Sequence, residues 1–224
     1  MARRYALPRS RSLHQILQFK VTLARIKPPV WRRVQITSET RLSGLHEILQ
    51  TAFGWMDCHM HYFTIDGQFY EEPDPEDDEK VIDETSIYVG SMVKPGDKFA
   101  YEYNPGDDWN HVVEYEQIVP HEKGAKYPRC VDGARAAPPE DCGGTDRYRD
   151  LLEALRNPSP ETAEFVEWAH NRVGGHYDPN TSTSTPSIDN SAGWPGRTRE
   201  VEYVERKLDF TNVTAKLTGS SQFA

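Results

Sequence analysis

The sequence RLSGLHEILQTAFGWMDCHMHYFTIDGQFY, residues 41–70, changes its hydrophobic period near its middle. Up to Gly54 the apolar residues recur at helical spacing, and a glycine at that point is typical of a helix C-terminus. From His59 onward the pattern predicts a β-hairpin, because two short strand-like runs flank the turn pair Asp66–Gly67. A helix followed at once by a hairpin favours a fold in which helices are inserted among antiparallel strands.

The rest of the sequence supplies further strands and helices. Alternation of apolar and polar residues predicts strands in residues 14–26, 30–36, 86–93, 97–103 and 108–119. Helices are predicted in residues 145–157 and 159–175, the second with Ser159 as its N-cap and Pro160 at its first position. We therefore predict an α+β fold, with a mostly antiparallel sheet and inserted helices, in a single domain with a divergent C-terminal extension.

Composition divides the chain into three parts. Residues 1–12 form a basic tail that we expect to be flexible, and residues 13–179 contain the predicted domain. From residue 180 the sequence is polar and low in complexity, which predicts a linker and then the divergent extension up to residue 224. No apolar run approaches the roughly 18 residues that a membrane span needs, and no secretory signal is recognised. We therefore expect a cytoplasmic protein with no membrane partner.

The net charge of −9 is concentrated in one segment. Residues 71–84, EEPDPEDDEKVIDE, hold nine acids and one lysine, so the segment carries −9 + 1 = −8. Repulsion between like charges predicts a solvated loop there, and the alternative is an acidic loop that meets a partner. The three cysteines, Cys58, Cys130 and Cys142, are an odd number, so we expect reduced thiols rather than a disulfide framework.

Several motifs resemble those of the plasmid open-reading-frame-3-like family, which includes passenger proteins of insertion sequences. The matching stretches are IKPPVWRRVQI (26–36), LHEILQTAFGWMDCHMHYFTIDG (45–67), YEYNPGDDWNHVVEYE (101–116), YPRCVDGARAAPPEDCGGTDRYRDLLEAL (127–155) and HYDP (176–179). The resemblance spans about residues 13–179. It implies an α+β domain with a mostly antiparallel sheet, of plasmid or transposon origin.

The sequence departs from this family pattern in two motifs. Where relatives usually read Tyr-Asp-Phe-Gly-Asp, this chain has Asn104 and Pro105 after the tyrosine, so one carboxylate and one aromatic side chain are missing. Ala137 stands where relatives often have a cysteine. Some family members are labelled resolvase, but the serine nucleophile among activating arginines and the helix-turn-helix that this chemistry needs are not recognisable here.

Histidines and aspartates form the first candidate site. His59 and His61 lie two residues apart, and His111 follows Asp107 and Asp108 at the start of another predicted strand. If these strands are neighbours, the imidazoles and carboxylates converge, and such ligands suit zinc, manganese or iron in metal-assisted hydrolysis. Asp107, Asp108 and His111 are thus candidate catalytic residues, and His59, His61, His111 and Asp108 are candidate metal ligands. The alternative is that His61 and His111 are core histidines with ordinary hydrogen-bond partners.

Two more groups have residue types that could carry chemistry. Cys130 and Cys142 are candidate zinc ligands, with His121 nearby in sequence, and the alternative is a pair of small buried thiols. Glu140 and Asp141 are candidate catalytic residues, because a carboxylate pair with one raised pKa performs acid–base work. The alternative is that PPEDCGG, residues 138–144, shapes a loop before a helix. No cofactor is predicted, with zinc or another divalent metal as the alternative.

An aromatic residue next to two arginines, Trp31, Arg32 and Arg33, is the candidate nucleic-acid contact. Arginine beside an aromatic ring suits contacts to phosphates and bases. Strand periodicity places Arg32 and Arg33 on opposite faces, so only one of them faces any given surface. The alternative is a solvated strand edge with an ion pair.

Three functions follow from these patterns. The first is a non-enzymatic accessory binding protein of mobile-element origin, with nucleic acid or a protein as its ligand, so that we lean against an enzyme. The second is a metal-dependent hydrolase that uses the histidines and aspartates. The third is a partner-blocking module whose acidic loop, residues 71–84, meets a basic partner.

Overall fold

The computed structural model describes residues 15–73 and 81–181. Within these ranges, eight strands form one sheet: β1 (Ile16–Leu23), β2 (Trp31–Thr37), β3 (His61–Ile65), β4 (Gln68–Glu71), β5 (Ile82–Asp83), β6 (Lys98–Tyr103), β7 (Trp109–Val119) and β8 (Arg129–Ala134). The helices of the same ranges are α1 (Leu42–Phe53), α2 (Val89–Met92), α3 (Gly144–Arg156) and α4 (Ala163–Arg172). A single 3₁₀ turn, Glu84–Ser86, precedes α2.

The strand order in the sheet is β5-β4-β3-β6-β7-β1-β2-β8. Every neighbouring pair is antiparallel except β4 and β5. The first strand therefore lies inside the sheet, between β2, its neighbour in sequence, and β7, which begins at Trp109. The predicted α+β fold with a mostly antiparallel sheet is confirmed.

The core lies on the face of the sheet that α1 covers. Alternate residues of the central strands point to this face and are fully buried, among them Phe19, Val21, Phe63, Tyr101 and Val113. The helix supplies its apolar stripe against them, namely Leu42, Leu45, Ile48, Leu49, Ala52 and Phe53. Burial of each large apolar side chain contributes about 1.5–3 kcal/mol, so this face stabilises the fold most.

Two local predictions were wrong. Residues 86–93 do not form a strand, because Tyr88 makes only a single bridge to Arg41 and the short helix α2 follows. Helix α4 begins at Ala163 and its N-cap is Thr162 rather than Ser159. Ser159 instead closes a turn, in which its carbonyl accepts the N–H of Thr162 at 3.1 Å.

Some predictions concern residues outside the described ranges. These are the basic tail, residues 1–12, the middle of the acidic run, residues 74–80, and the linker and extension from residue 182 onward. At the described ends of the acidic run the predicted solvated loop was wrong, because Glu71 lies in β4, Glu84 lies in the 3₁₀ turn, and both are buried. Within the described ranges, no helix is both long enough and apolar enough to cross a membrane.

Candidate functional site

The end of α1 and the segment after it build the candidate site. Gly54 ends the helix with a φ of 77°, and its N–H bonds to the carbonyl of Gln50 at 2.9 Å. This left-handed conformation costs a glycine little, so the chain reverses at once and returns along the sheet. The indole N–H of Trp55 then donates to the carbonyl of Pro138 at 3.0 Å. The segment from Met56 to Met60 is therefore held between α1 and the 138–142 loop.

Two histidines stack face to face beside this segment. His46 lies on the buried stripe of α1, and His61 is the first residue of β3. Their ring centroids are 3.4 Å apart and the planes differ by 4°. Asp57 joins them, and one potential ligand atom from each of the three residues lies within 4.8 Å of the other two. Two imidazoles and a carboxylate are a ligand set for zinc, manganese or iron.

The tautomer of His46 follows from its hydrogen bonds. Asp57 donates its backbone N–H to Oε1 of Gln50 at 3.0 Å, so the amide nitrogen of Gln50 is the group that faces the Tyr101 hydroxyl, at 2.9 Å. Tyr101 accepts that bond and donates its own proton to Nδ1 of His46, at 2.8 Å. The proton of His46 is therefore on Nε2, which donates to Oδ1 of Asp57 at 2.6 Å. Burial lowers the pKa of His46, which keeps the ring neutral and suited to be a ligand.

A buried carboxylate holds the second histidine. Nε2 of His61 lies 3.1 Å from both carboxylate oxygens of Glu84, the first residue of the 3₁₀ turn. The side chain of Glu84 is only 2% exposed. A carboxylate that accepts from one ring nitrogen of a histidine fixes the ring and raises its basicity at the other nitrogen, as in many metal sites.

A second cluster lies on the other side of the same segment. Cys58, His59 and Glu140 also offer one potential ligand atom each, and these atoms lie within 4.8 Å of one another. Nε2 of His59 is 2.7 Å from Oδ1 of Asp141 and 3.8 Å from Oε1 of Glu140. Arg172, from the last turn of α4, pairs with the carboxylate of Asp141 and donates from Nε to the carbonyl of Glu140 at 3.1 Å.

The two oxygens of Glu140 differ in their surroundings. Oε2 accepts the backbone N–H of Met56 at 2.8 Å and the hydroxyl of Tyr103 at 3.2 Å. Oε1 is buried and makes no hydrogen bond within the described ranges. Burial raises the pKa of Glu140, and burial also raises the pKa of the Cys58 thiol. Glu140 thus has the raised pKa expected of one member of a carboxylate pair.

His111 lies in the core, away from both clusters. Its ring is 1% exposed and packs edge-on against Phe53 and Trp55, and its Nδ1 donates to the carbonyl of Tyr101 at 3.2 Å. Burial lowers the pKa of His111 to about 3. It is a neutral core histidine, but only its Nδ1 has a hydrogen-bond partner, because Nε2 is buried and has none within the described ranges.

The two aspartates before β7 are engaged in turn and helix contacts. Asp107 accepts the N–H of Gly143 at 3.0 Å, immediately before α3, where the helix dipole favours a negative charge. Asp108 pairs with Arg25 and also accepts from the amide of Asn110. Neither carboxylate belongs to a group of three potential ligands within the described ranges.

Cys130 and Cys142 are buried thiols. Sγ of Cys130 donates to the carbonyl of Asp132 at 3.4 Å, and burial raises the pKa of Cys142 to about 12. His121 packs against Tyr127, with ring centroids 5.4 Å apart. In the described part of the chain, neither cysteine belongs to a group of three potential ligands.

The candidate nucleic-acid contact is divided between two faces, as strand periodicity requires. Arg32 is 1% exposed and points into the core, where its donors reach the carbonyls of Ala52 at 2.8 Å and Arg135 at 2.9 Å. Arg33 lies on the opposite face and bonds to Glu116 and Asp132. Lys20 and Arg33 both lie over the ring of Trp31, at 4.9 and 5.0 Å from its centroid.

The structure thus separates residues that the sequence grouped together. His59 precedes β3, so the alternation of a strand does not apply to it, and it faces Asp141 whereas His61 faces Glu84. Four further site residues were not predicted, namely His46, Asp57, Cys58 and Glu84. One signal for His46 was present, because a histidine four residues after Leu42 lies on the buried stripe of the helix.

Comparisons with known proteins identify a family model, a relative in sequence and a solved structure that resemble this chain. A family model described as "Plasmid pRiA4b ORF-3-like protein" matches residues 15–184. A Sinorhizobium fredii protein with the name "Uncharacterized protein y4hQ" is 33% identical over 188 residues, which cover 82% of this chain and 96% of the relative.

A solved structure shares the fold. It is the "Crystal Structure of Protein of Unknown Function MM3350 from Methanosarcina mazei Go1", with a TM-score of 0.69 and 26% sequence identity. The match covers 77% of this chain and 97% of that chain.

Proposed function

Because the chain belongs to the plasmid pRiA4b ORF-3-like family, for which the comparisons supply no activity, we propose a function from its own site. The family resemblance seen in the sequence is confirmed. We propose that the protein is a metal-dependent hydrolase, with His46, Asp57 and His61 as the ligands of a divalent ion. Of the functions considered from sequence, this is the metal-dependent alternative, with a different set of ligands.

One observation carries the proposal. A helix, a loop and a strand bring two stacked imidazoles and a carboxylate together, with potential ligand atoms within 4.8 Å of one another. A ring nitrogen binds an ion in the plane of its ring, so the two nearly parallel rings, 3.4 Å apart, tilt towards each other when one ion takes a nitrogen from each. Three protein ligands also leave a coordination position for water, as in catalytic zinc sites.

The surrounding residues orient the ligands. Gln50 and Tyr101 fix the ring of His46 through Nδ1, and Glu84 fixes the ring of His61 through Nε2. Such outer partners set ring orientation and ligand basicity. An ion at Nε2 of His46 would require the other neutral tautomer, in which the proton is on Nδ1 and is donated to the Tyr101 hydroxyl, while the Asp57 carboxylate would bind the ion.

The exposed side of the site is at Asp57. The side chain of Asp57 is 34% exposed, whereas that of His46 is 6% and that of His61 is 11%. Substrate and water therefore approach past Asp57. A bound ion would lower the pKa of its water towards 7 and supply the hydroxide for hydrolysis.

The test is metal binding and metal-dependent hydrolysis by the full chain. We expect zinc or manganese to bind in calorimetric titrations, and hydrolysis of aryl ester or aryl phosphate substrates to require that ion. Asp57→Asn should weaken binding at least tenfold, because the amide keeps the size of the side chain but loses its charge.

A matched control is available in the hairpin turn. Asp57 and Asp66 are both aspartates in the left-handed region, with φ of 53° and 50°. Asn tolerates this conformation as well as Asp does, so Asp66→Asn should leave metal affinity unchanged. Absence of zinc and manganese binding by the unmodified chain would overturn the proposal, as would equal manganese affinity in Asp57→Asn.

A second candidate function is the accessory binding protein of mobile-element origin, with nucleic acid as its ligand. The observation in favour is that Lys20 and Arg33 flank the half-buried ring of Trp31. Gel shifts over a salt series test it, because phosphate contacts strengthen binding at low salt. Trp31→Ala should weaken such binding, and an absence of binding at the lowest salt would exclude this function.

A further inference from the structure

The cluster on the other side of the segment is built around an unsatisfied buried oxygen. The side chain of Glu140 is 3% exposed, and its Oε1 has no hydrogen-bond partner within the described ranges. A buried carboxylate oxygen without a partner destabilises the fold, because its desolvation is not offset by a hydrogen bond. A carboxylate oxygen of Glu140 lies within 4.8 Å of potential ligand atoms of Cys58 and His59. Oε1 itself is 3.8 Å from Nε2 of His59.

This cluster has more carboxylates than arginines, which favours the binding of a cation. Glu140 and Asp141 supply two carboxylates, and Arg172 pairs with Asp141. Arg172 contacts Glu140 at its main-chain carbonyl, and within residues 15–73 and 81–181 no lysine or arginine forms an ion pair with the Glu140 carboxylate. Nε2 of His59, at 3.8 Å, is the ring nitrogen nearest to Oε1.

The spacing fits coordination of one ion. Two ligand atoms at about 2.05 Å from one ion, at a tetrahedral angle, lie about 3.4 Å apart. The 3.8 Å between Nε2 of His59 and Oε1 of Glu140 is close to this value. Cys58 is exposed and Glu140 is buried, so the carboxylate forms the floor of the cluster and the thiol lies at its mouth.

We propose that Cys58, His59 and Glu140 form a second metal site, which takes zinc or another divalent ion that binds thiolate. Binding releases the proton of the Cys58 thiol to solvent as the sulfur–metal bond forms. Nε2 of His59 would exchange its hydrogen bond to Asp141 for the ion, with the ring proton on Nδ1, while Arg172 stays paired with Asp141 and bonded to the main chain of Glu140. This site is distinct from the His46–Asp57–His61 site in its ligands, and it does not depend on the hydrolase proposed there.

The sulfur ligand determines which ions prefer this site. Thiolate selects zinc over magnesium, calcium and manganese, which prefer oxygen ligands. The His46–Asp57–His61 site offers only nitrogen and oxygen. Zinc therefore fits both sites, whereas manganese fits only the first.

A cysteine nucleophile is the other chemistry that these residues suggest. The pKa of the Cys58 thiol is raised by burial and by the nearby carboxylate of Glu140, whereas a nucleophilic cysteine needs a lowered value. His59 also directs its Nε2 to Asp141. A metal ion, in contrast, deprotonates a thiol that binds it.

Cobalt(II) distinguishes the two sites in one experiment. Cobalt bound by thiolate gives an intense sulfur-to-metal charge-transfer band in the near ultraviolet, and cobalt bound only by nitrogen and oxygen does not. We expect this band when the reduced full chain is titrated with cobalt. It should persist in Asp57→Asn, disappear in Cys58→Ser, and require at least tenfold more cobalt in Glu140→Gln.

The controls separate a lost ligand from a lost fold. Cys58 is exposed, so Cys58→Ser should keep the circular dichroism spectrum and unfolding midpoint of the unmodified protein. Cys130→Ser should keep the band. The proposal is wrong if the unmodified chain gives no such band, or if a folded Cys58→Ser variant retains it. Loss of manganese binding in Asp57→Asn with the cobalt band intact would support both sites separately.

Discussion

Arg32 carries its charge into the core, where main-chain carbonyls accept from its Nε and Nη1. Its Nε reaches the carbonyl of Ala52, at the end of α1, and Nη1 reaches the carbonyls of Trp31 and Arg135. Carbonyls at a helix C-terminus have no partner within the helix, and the helix dipole favours a cation there. Burial lowers the pKa of Arg32, but an arginine starts so high that it stays charged. Arg32 therefore joins α1 to the sheet and is not available to a nucleic acid.

His111 makes stability depend on pH. Burial lowers its pKa from an ordinary value of about 6.5 to about 3. Between these values the unfolded chain binds a proton that the folded chain does not, so stability is fully present above about pH 6.5 and falls as the pH falls. The loss is about 1.4 kcal/mol per pH unit down to about pH 3. Urea unfolding between pH 7 and pH 4 measures it.

The variant His111→Asn isolates this contribution. Asparagine has no proton to gain in this range, so the slope of stability against pH should be shallower than in the unmodified protein. His121→Asn changes a histidine outside the core and should leave the slope unchanged. Equal slopes in all three proteins would contradict the assignment of His111 as a neutral core histidine.

At the scale of elements, the turn before β7 and the start of α3 are packed together. A Cβ atom on Gly144 would lie 2.7 Å from the main-chain oxygen of Asp107, and the φ of Gly144 is +78°. Gly144→Ala should therefore cost about 1–2 kcal/mol for the left-handed backbone and roughly 1–3 kcal/mol more for the clash. Chemical denaturation measures both contributions as one loss of unfolding free energy.

Gly174 provides the matched control for this substitution. Its φ is +69°, but a Cβ atom there would have no atom within 4 Å. Gly174→Ala should thus cost only the backbone contribution, about 1–2 kcal/mol. If the two variants lose the same free energy, the close approach of Asp107 to Gly144 does not contribute to stability.

The elements with strong periodicity could be predicted from the sequence. The strands at residues 16–23 and 109–119, the helix ending at Gly54 and the Asp66–Gly67 hairpin are confirmed. Two short elements were not predicted, β5 and β8, and residues 86–93 were assigned wrongly. Short elements take their conformation from neighbouring parts of the chain. The two-residue strand β5 forms by pairing with β4. In α2, the close approach of Ser38 leaves room only for a glycine, because a Cβ atom on Gly90 would lie 2.9 Å from the carbonyl oxygen of Ser38.

The candidate site could be predicted only in part, because its residues meet through tertiary contacts. His59, His61, Glu140 and Asp141 were recognised as residue types, but the sequence could not pair Glu140 with Cys58 across more than eighty positions. The strand register explains why His111 and His61 do not meet. His111 lies opposite Tyr101, whereas His61 lies opposite Tyr103, so the two histidines occupy different rows of the sheet.

For the whole molecule, metal binding and folding should be linked. The proposed ligands come from α1, the segment after it, β3 and the 138–142 loop, so a bound ion joins parts that unfolding separates. Free zinc at about 100 times its dissociation constant should stabilise the fold by about 2.7 kcal/mol per site. For a chain of this size, that predicts a rise in the unfolding midpoint of roughly 5–10 °C per site.

Thermal unfolding with and without zinc measures this linkage. A chelator should reverse the rise, and Asp57→Asn and Cys58→Ser should each remove the part that belongs to its own site. An unfolding midpoint that does not respond to zinc in the unmodified protein would contradict the linkage.

The interior place of β1 governs the order in which the chain can fold. One edge of this strand is satisfied early by β2, but its other partner, β7, begins only at Trp109, and Ile16 pairs as far along as Val119. During synthesis, the main-chain groups on one edge of β1 therefore stay unpaired until about half of the chain has been made. Pairings this distant in sequence slow folding, and we expect it to take milliseconds to seconds rather than microseconds.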